Sequence, residues 1–389
     1  MDSQLRDLLD AAVGEPPHRV TPEAVGRRVR RRRLKEGAGA ALAVLVLAGL
    51  GVTVAAVRSG PGPADTGGFA PGLPRFYVQQ GFGTPGLVVR ATATGTVTAT
   101  VRCPWPGAQV AGGHFTATAG QGFFLACQKS VQRGQTYLTT GSRIYRFQLT
   151  GSGRVSGYSL VPGGLLGKHT VEALTAAPDG SRVAVTVGPA VIGGTSPVPD
   201  QILIINTRTG ARAVWRGSAK LFGAEVNSFI HDGRDLVFVG TTRCTPSKHS
   251  ATCRALRTVS TAAAGGQLDS SRRLLPLSAL LRTSGDYINA VVVSPDGTTL
   301  TAAVMRSPGR GPDQVLIVRF SASGRQLRVI YRMRTGNGFM YRFFGADPSG
   351  RYFLLDAGTT KATVNGWIDH GRLIPLAPSE GSGLSSESW

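Results

Sequence analysis

One short phrase, an apolar strand followed by a glycine turn and a second apolar strand, recurs five times along the chain. The copies span residues 114–127, 172–187, 225–240, 289–304 and 342–358. Their turn glycines are Gly122, Gly180, Gly233, Gly297 and Gly350, at spacings between 53 and 64 residues. A period of this length is typical of one supersecondary unit repeated radially or in a stack.

A second phrase, a hairpin with its own glycine turn, follows the first. Six such turns are found, at Gly95, Gly153, Gly210, Gly265, Gly324 and Gly371. Their mean spacing is about 55 residues, which suits one four-stranded blade with generous loops. The flanking segments are rich in Val, Ile, Thr and aromatic residues, as strands require. The pattern predicts an all-β, six-bladed β-propeller over residues 74–377, with seven blades as the alternative.

The order of the two phrases assigns strands within a blade. In a propeller the strands run from the channel outwards, so the first phrase joins the first strand to the second, and the second phrase joins the third to the fourth. Residues 75–80 precede the first hairpin and read as a second strand without its inner partner. The segment that supplies this partner, and so closes the ring, is left unassigned.

Residues 37–57 contain no charged side chain over 21 positions. A helix of that length spans roughly 31 Å, enough for the hydrocarbon core of a membrane. Seven basic residues between Arg27 and Lys35 come just before it, which predicts a single-pass anchor with residues 1–36 in the cytoplasm. A cleaved signal peptide is the alternative. The arm 1–36 is predicted to form an amphipathic helix and a basic helix.

The propeller would then lie outside the cytoplasm, after a flexible linker at 58–73 and before a disordered tail at 378–389. Four cysteines allow three pairings. We expect Cys244–Cys253 to close a short polar loop and Cys103–Cys127 to tie the first hairpin to the next blade. Disulfides persist in an oxidising compartment, which agrees with export. The spacings lack Cys-x-x-Cys, so no metal site is predicted.

The chain carries a formal net charge of +21. Residues 1–36 hold nine basic and six acidic residues, so most of the excess lies in the exported part. A basic surface attracts anionic partners such as phospholipid headgroups or phosphate-bearing wall polymers. No basic stripe interleaved with aromatic residues is present, so nucleic acid is not expected as a partner. An arginine-rich composition spread over a solvated surface explains the same charge without any partner.

Motifs of catalysis are missing from the sequence. The segment 81–86, GFGTPG, matches a dinucleotide fingerprint, but a strand follows it where a helix should begin. No G-x-S-x-G and no H-E-x-x-H occurs. The sequence therefore predicts no catalytic residue and no cofactor.

One set of polar residues stands at equivalent places in the repeats. Eight residues before each turn glycine of the first phrase the chain has His114, Glu172, Glu225, Asn289 and Arg342. These positions begin the strand nearest the channel, so they are predicted to ring one mouth of it as a ligand-binding site. Polar residues at a watery mouth need no such function. Catalysis would require Glu172 and Glu225 to converge without pairing to arginines.

The phrases at 177–180 (APDG) and 294–297 (SPDG) resemble those of TolB-like and WD-repeat-like propellers. The order of Arg-rich arm, single anchor and repeats is similar to the membrane-anchored propeller proteins common in actinobacteria, over residues 1–377. No Trp-Asp dipeptide occurs, which departs from true WD-repeat proteins. The resemblance implies the fold and the anchor but carries no catalytic residues, because propellers host unrelated activities.

The sequence supports three functional hypotheses. The first is a non-catalytic binding or sensing module at the cell envelope, with a protein or anionic polymer as partner. The second is an envelope hydrolase or lyase that uses carboxylates at the channel mouth. The third is a transmembrane regulator that docks a cytosolic transcription factor through residues 1–36.

Overall fold

Six sheets, each built on four antiparallel strands, surround a common channel, and each of them corresponds to one repeat of the sequence. Two of the sheets gain a short fifth strand. The computed structural model describes residues 73–80, 86–120, 122–133, 136–192, 200–218, 220–242, 253–283, 286–306, 314–334, 340–347, 349–358, 363–369, 371–376 and 386–388. The predicted arm 1–36, anchor 37–57 and most of the linker lie outside these residues. In the described part of the chain, no helix is long and apolar enough to cross a membrane.

The blades are numbered I to VI in chain order, and the first three hold the amino-terminal half of the ring. Blade I contains β1 (Phe76–Gln80), β2 (Gly86–Ala91) and β3 (Val97–Arg102). Blade II contains β4 (Gln109–Ala117), β5 (Gly122–Arg133), β6 (Thr136–Leu149) and β7 (Val155–Gly167). Blade III contains β8 (Thr170–Ala176), β9 (Arg182–Gly188), β11 (Gln201–Asn206) and β12 (Arg212–Arg216), with β10 (Val191–Ile192) between its second and third strands.

The other three blades follow the same plan. Blade IV contains β13 (Leu221–Ile230), β14 (Asp235–Thr242), β15 (Arg254–Ser260) and β17 (Arg272–Pro276), with β16 (Gly265–Gln267) before its last strand. Blade V contains β18 (Asp286–Val293), β19 (Thr299–Arg306), β20 (Gln314–Ser321) and β21 (Gln326–Arg334). Blade VI contains β22 (Met340–Ala346), β23 (Phe353–Gly358), β24 (Thr363–Asp369) and β25 (Arg372–Pro375).

The inner strand of blade I is β26 (Ser386–Ser388), at the far end of the chain. It pairs antiparallel with β1, with Gln79 opposite Glu387. It also contacts β4 and β22, which completes a ring of six inner strands. This pairing supplies the partner that the sequence analysis left unassigned. It also corrects the assignment of 378–389 as a disordered tail, because three of those residues form a strand.

Each blade buries both faces of its middle strands. The second and third strands are continuous apolar runs, such as β9, in which six of seven residues are buried. The outer strands are half-exposed, such as β21. The buried side chains form one cluster at each of the six boundaries between neighbouring blades. Each fully buried aliphatic or aromatic side chain stabilises the fold by about 1.5–3 kcal/mol.

Glycine turns lie where the sequence predicted them, with two exceptions. Ten of the predicted turn glycines have positive φ, and nine of these lie in turns, namely Gly95, Gly153, Gly180, Gly210, Gly233, Gly297, Gly324, Gly350 and Gly371. In blade II the turn residue is Gly120, at φ 88°, and Gly122 begins β5. In blade IV, Gly265 belongs to β16, which pairs parallel with β12 of blade III. Any Cβ at Gly265 would stand 2.3 Å from the carbonyl oxygen of Val214, so the approach of the two strands requires glycine.

A disulfide joins Cys103, after β3, to Cys127 on β5, with 5.8 Å between their Cα atoms. The predicted bond between blades I and II is thereby confirmed. Cys253 is also disulfide-bonded, and Cys244, its predicted partner, lies outside the described residues. The structure leaves no described cysteine free.

The closing strand gives the first prediction. Truncation after residue 377 removes β26 and exposes the hydrogen-bonding edge of β1, so the thermal midpoint should fall by about 2 °C or more. Glu387→Ala keeps the backbone of β26 and should melt within about 1 °C of the full chain. The measurement is differential scanning calorimetry in detergent. Equal midpoints for the truncated and full chains would contradict the role of β26 in closing the ring.

The disulfide gives the second prediction. Its two cysteines are 24 residues apart in sequence. The double change Cys103→Ser and Cys127→Ser frees a loop of that length in the unfolded chain and should lower the free energy of unfolding by about 3 kcal/mol. Guanidinium unfolding followed by intrinsic fluorescence measures the difference. A loss below about 1 kcal/mol would mean that packing alone holds the two blades together.

Candidate functional site

The inner strands all begin on one face of the propeller, which we call the crossover face because each outer strand crosses over there to the next blade. The opposite face, which carries the glycine turns, is called the turn face. β8, β18 and β22 each have a register shift near the crossover face, with Glu172, Asn289 and Arg342 as the unpaired residues. A β-bulge leaves one residue out of the ladder and redirects its side chain. Three of the five predicted mouth residues therefore occupy equivalent bulges.

The other two predicted residues differ from this pattern. Glu225 pairs with Val239, between two register shifts of β13. His114 lies four residues before Thr118, whose N–H closes the turn of blade II, whereas Glu172 lies five before the equivalent Ala177. The spacing between the inner strand and the turn therefore differs by one residue between blades II and III. Counting eight residues back from Gly122 consequently selects a residue that is not equivalent to Glu172. This explains why His114 departs from the ring.

The environments of the five residues also differ. His114 is half-buried, and burial lowers its pKa from 6.5 to about 4, so that the imidazole is neutral at physiological pH. Asn289 and Arg342 lie in β18 and β22, but their side chains are outside what the structure describes. Only Glu172 and Glu225 are brought together by the described geometry.

Glu172 and Glu225 line one cavity of about 250 Å³ at the boundary of blades III and IV. Its wall also contains Asp200, at the start of β11, and Arg254, at the start of β15. Glu225, Arg254 and Val239 line the central channel as well, a space of about 280 Å³. The cavity therefore adjoins the mouth of the channel. We call it the mouth cavity.

The mouth cavity holds a pair of hydrogen-bonded carboxyl groups. Burial raises the pKa of Glu172 to about 7, and the charge of Asp200 and a hydrogen bond with it contribute to this rise. Glu172 as a residue is exposed, but its carboxyl group is the part that meets Asp200. Burial also raises the pKa of Asp200, while the N–H of Ala224 donates to its Oδ2 at 3.1 Å and favours the charged form. The pair therefore shares a proton near neutral pH, with the proton on Glu172.

Glu225 has a cationic neighbour instead. Its Oε2 lies 3.7 Å from Nη2 of Arg254. The carboxylate is 65% exposed, so this ion pair contributes little to stability. The sequence hypothesis of catalysis required Glu225 to be free of arginine, and this condition is not met. Asp200 takes its place as the acidic neighbour of Glu172.

The sequence analysis missed Asp200 and Arg254. Asp200 directly precedes β11, the third strand of blade III, and Arg254 begins β15, the third strand of blade IV. Neither stands in the inner-strand position that the repeats align. Both residues could have been found from the blade topology. In each blade the loop between the second and third strands lies on the same face as the start of the inner strand. Among the described residues no three His, Cys, Asp or Glu side chains come close enough to hold a metal ion.

The proton on Glu172 gives the third prediction. The folded protein binds this proton more tightly than the unfolded chain, in which the pKa is 4.5. Stability contributed by Glu172 is therefore present at acid pH and lost as pH rises from 4.5 toward about 7. Glu172→Gln should flatten the fall in unfolding free energy between pH 4.5 and about pH 7. Guanidinium titrations across this range test it, with Asp232→Asn, on the turn face, as a control that keeps the wild-type slope. Parallel profiles for Glu172→Gln and wild type would contradict the shared proton.

Comparison with known proteins shows no family for this chain. No protein-family model and no curated protein matches the chain. A prolyl endopeptidase structure is similar at 12% identity and TM-score 0.38, over 69% of this chain and 43% of that one. A protein of unknown function from Bacteroides caccae is similar at 11% identity and TM-score 0.44, over 81% of this chain and 98% of that one. The β-propeller domain of Cps50 (Swd1) from Myceliophteria thermophila is similar at 11% identity and TM-score 0.38, over 74% and 78%. The chain is an all-β, six-bladed propeller by its own sheet topology. The structures similar to it include an enzyme and a protein of unknown function.

Proposed function

We propose that this protein is a non-catalytic binding module, held at the cell envelope by residues 37–57, that takes its ligand in the mouth cavity. The observation that carries the proposal is the convergence of Glu172, Asp200, Glu225 and Arg254 on one cavity beside the channel. The volume of about 250 Å³ suits a small polar group rather than a large ligand. A concave site with a few convergent polar groups is the usual form of a binding site.

The charges of the mouth cavity favour a ligand with an amino group. The carboxylate oxygens of Asp200 and Glu225 accept hydrogen bonds, while the proton on Glu172 is held in its hydrogen bond with Asp200. Three acidic groups face one arginine, so the cavity is acidic although the chain as a whole carries +21. A protonated amine of an envelope component, or a lysine of a partner protein, matches that balance. An extracytoplasmic position is supported by the Cys103–Cys127 disulfide.

A second candidate function rests on the carboxyl pair. A carboxylic acid with a pKa raised to about 7 is poised to give up and take back a proton at neutral pH. With Asp200 as its base, Glu172 could serve a hydrolase or lyase reaction. This hypothesis differs from the first only in that the protein would chemically convert the bound ligand.

The proposal gives the fourth prediction, a capture experiment with matched variants. Affinity capture of the full chain from native membranes, followed by mass spectrometry of proteins and small molecules, should recover a ligand. The double variant Glu172→Gln and Glu225→Gln removes two carboxyl groups from the mouth cavity and should lose that ligand. Asp232→Asn removes a charge from the turn face, where Asp232 has φ 55°, a conformation that Asn accepts, and should keep it.

The outcomes separate the hypotheses. Equal recovery by wild type and by the double variant would contradict binding in the mouth cavity. Conversion of the ligand by wild type, and its absence in Glu172→Gln, would favour the enzyme. A partner lost only when residues 1–26 are deleted, with the Arg cluster retained to preserve topology, would place recognition on the cytoplasmic arm.

A further inference from the structure

Two arginines stand directly opposite each other on blade V. Arg319 on β20 and Arg328 on β21 are register partners, so their side chains lie on the same face of the sheet. Like charges at such positions repel each other and destabilise the pair of strands. No described carboxylate forms an ion pair with either of them. Among the described residues, no negative charge therefore compensates the two arginines.

Arg319 is the less solvated of the two. It is half-buried, and its Nε is shielded from solvent and finds no hydrogen-bond acceptor among the described residues. Its guanidinium carbon lies 5.9 Å from the ring centre of Phe353 on blade VI, so the side chain faces the boundary of blades V and VI. Burial and the charge of Arg328 lower the pKa of Arg319, which nonetheless remains a cation. A shielded donor without an acceptor is costly for a folded protein.

Blade IV also has two opposed arginines, but there the half-buried guanidinium has hydrogen-bond acceptors. Arg257 on β15 and Arg273 on β17 are also register partners. There, Nε of Arg257 donates to Oγ of Ser271 at 2.7 Å, and its Nη2 donates to the carbonyl oxygen of Ser271 at 2.9 Å. The protein itself supplies the acceptors that a buried guanidinium needs. Blade V lacks such acceptors among its described residues, so its arginine pair calls for an acceptor from outside.

We propose that Arg319 and Arg328 bind a phosphate group at the turn-face end of the boundary between blades V and VI. Guanidinium groups match phosphate oxygens in geometry, and two of them balance a charge of about −2. The ring of Phe353 covers one side of this site and reduces competition from water. Arg319 lies two residues before Ser321, where the turn of this hairpin begins, so the site opens toward the turn face. This site is separate from the mouth cavity on the crossover face and goes beyond the proposed function.

The turn face is also where the described chain enters the propeller. β1 begins there, and the carbonyl oxygen of Arg75 accepts a hydrogen bond from Thr92 in a turn of the same face. A phosphate group could reach the site as free phosphate or as the phosphodiester of a lipid headgroup. The two sources share the chemistry that the arginines recognise, and they are separable by experiment.

The fifth prediction concerns phosphate affinity. Isothermal titration of the full chain in a non-ionic detergent, in phosphate-free buffer at constant ionic strength, should show binding of inorganic phosphate or of dihexanoyl phosphatidylglycerol. Arg319→Gln and Arg328→Gln should each weaken that binding by about tenfold or more, as expected for loss of a charge-assisted hydrogen bond. Arg273→Gln is the matched control, since Arg273 and Arg328 are both exposed and each opposes a half-buried arginine. It should change the affinity by less than about twofold.

Every outcome bears on the proposal. Tighter binding of inorganic phosphate would assign the site to the free ion, and equal or tighter binding of the phosphodiester would assign it to a headgroup. An equal loss of affinity in Arg273→Gln would mean general attraction to a basic surface and would overturn the site. Binding that persists in both blade V variants, or no binding of either ligand, would overturn it as well. If Arg319→Gln fails to fold, the exposed Arg328→Gln decides alone. Glu172→Gln should leave phosphate binding unchanged, which keeps this test independent of the mouth cavity.

Discussion

Every sheet of this molecule has two apolar faces, and both must be covered by neighbouring sheets. This requirement accounts for the closed ring, because an open row of blades would leave the first and the last with a bare face. The six boundary clusters satisfy it in turn, from blades I and II around to blades VI and I. The last boundary packs Tyr77 of β1 against Tyr352 and Trp367 of blade VI. Hydrophobic packing between blades VI and I therefore closes the outer part of the ring. β26 completes the hydrogen-bonded sheet of blade I next to the channel.

The sequence predicted most of the architecture because the turns demand a particular backbone conformation. Glycine is favoured where φ is positive, so nine turns could be located from residue type alone. The two exceptions have local causes. Gly122 lies two residues past the true turn residue, Gly120, and Gly265 serves a close approach between blades. β26 was unpredictable, because Ser-Glu-Ser has neither alternation nor β-branched residues and pairs through its backbone.

The candidate site was only partly predictable for a related reason. Repeat alignment finds residues at equivalent positions of equivalent strands, and it selected Glu172 and Glu225 on that basis. Asp200 and Arg254 reach the same cavity from other strands, and no repeat relates them. The proton shared by Glu172 and Asp200 depends on burial and on their mutual distance, neither of which is written in residue order. Sequence periodicity thus predicts the ring of strands better than the chemistry at its mouth.

Two short strands cross from one blade to the next. β10 of blade III pairs with β6 of blade II, and β16 of blade IV pairs with β12 of blade III. Among the described strands, these are the two pairings in which a strand joins the sheet of a neighbouring blade. The boundary IV–V has single hydrogen bonds instead, such as the one that the N–H of His231 donates to the carbonyl oxygen of Pro295 at 2.7 Å. The ring is therefore mechanically uneven. Under load or partial denaturation, the boundaries II–III and III–IV, which carry these strand pairings, should open last, and backbone hydrogen exchange should be slowest there.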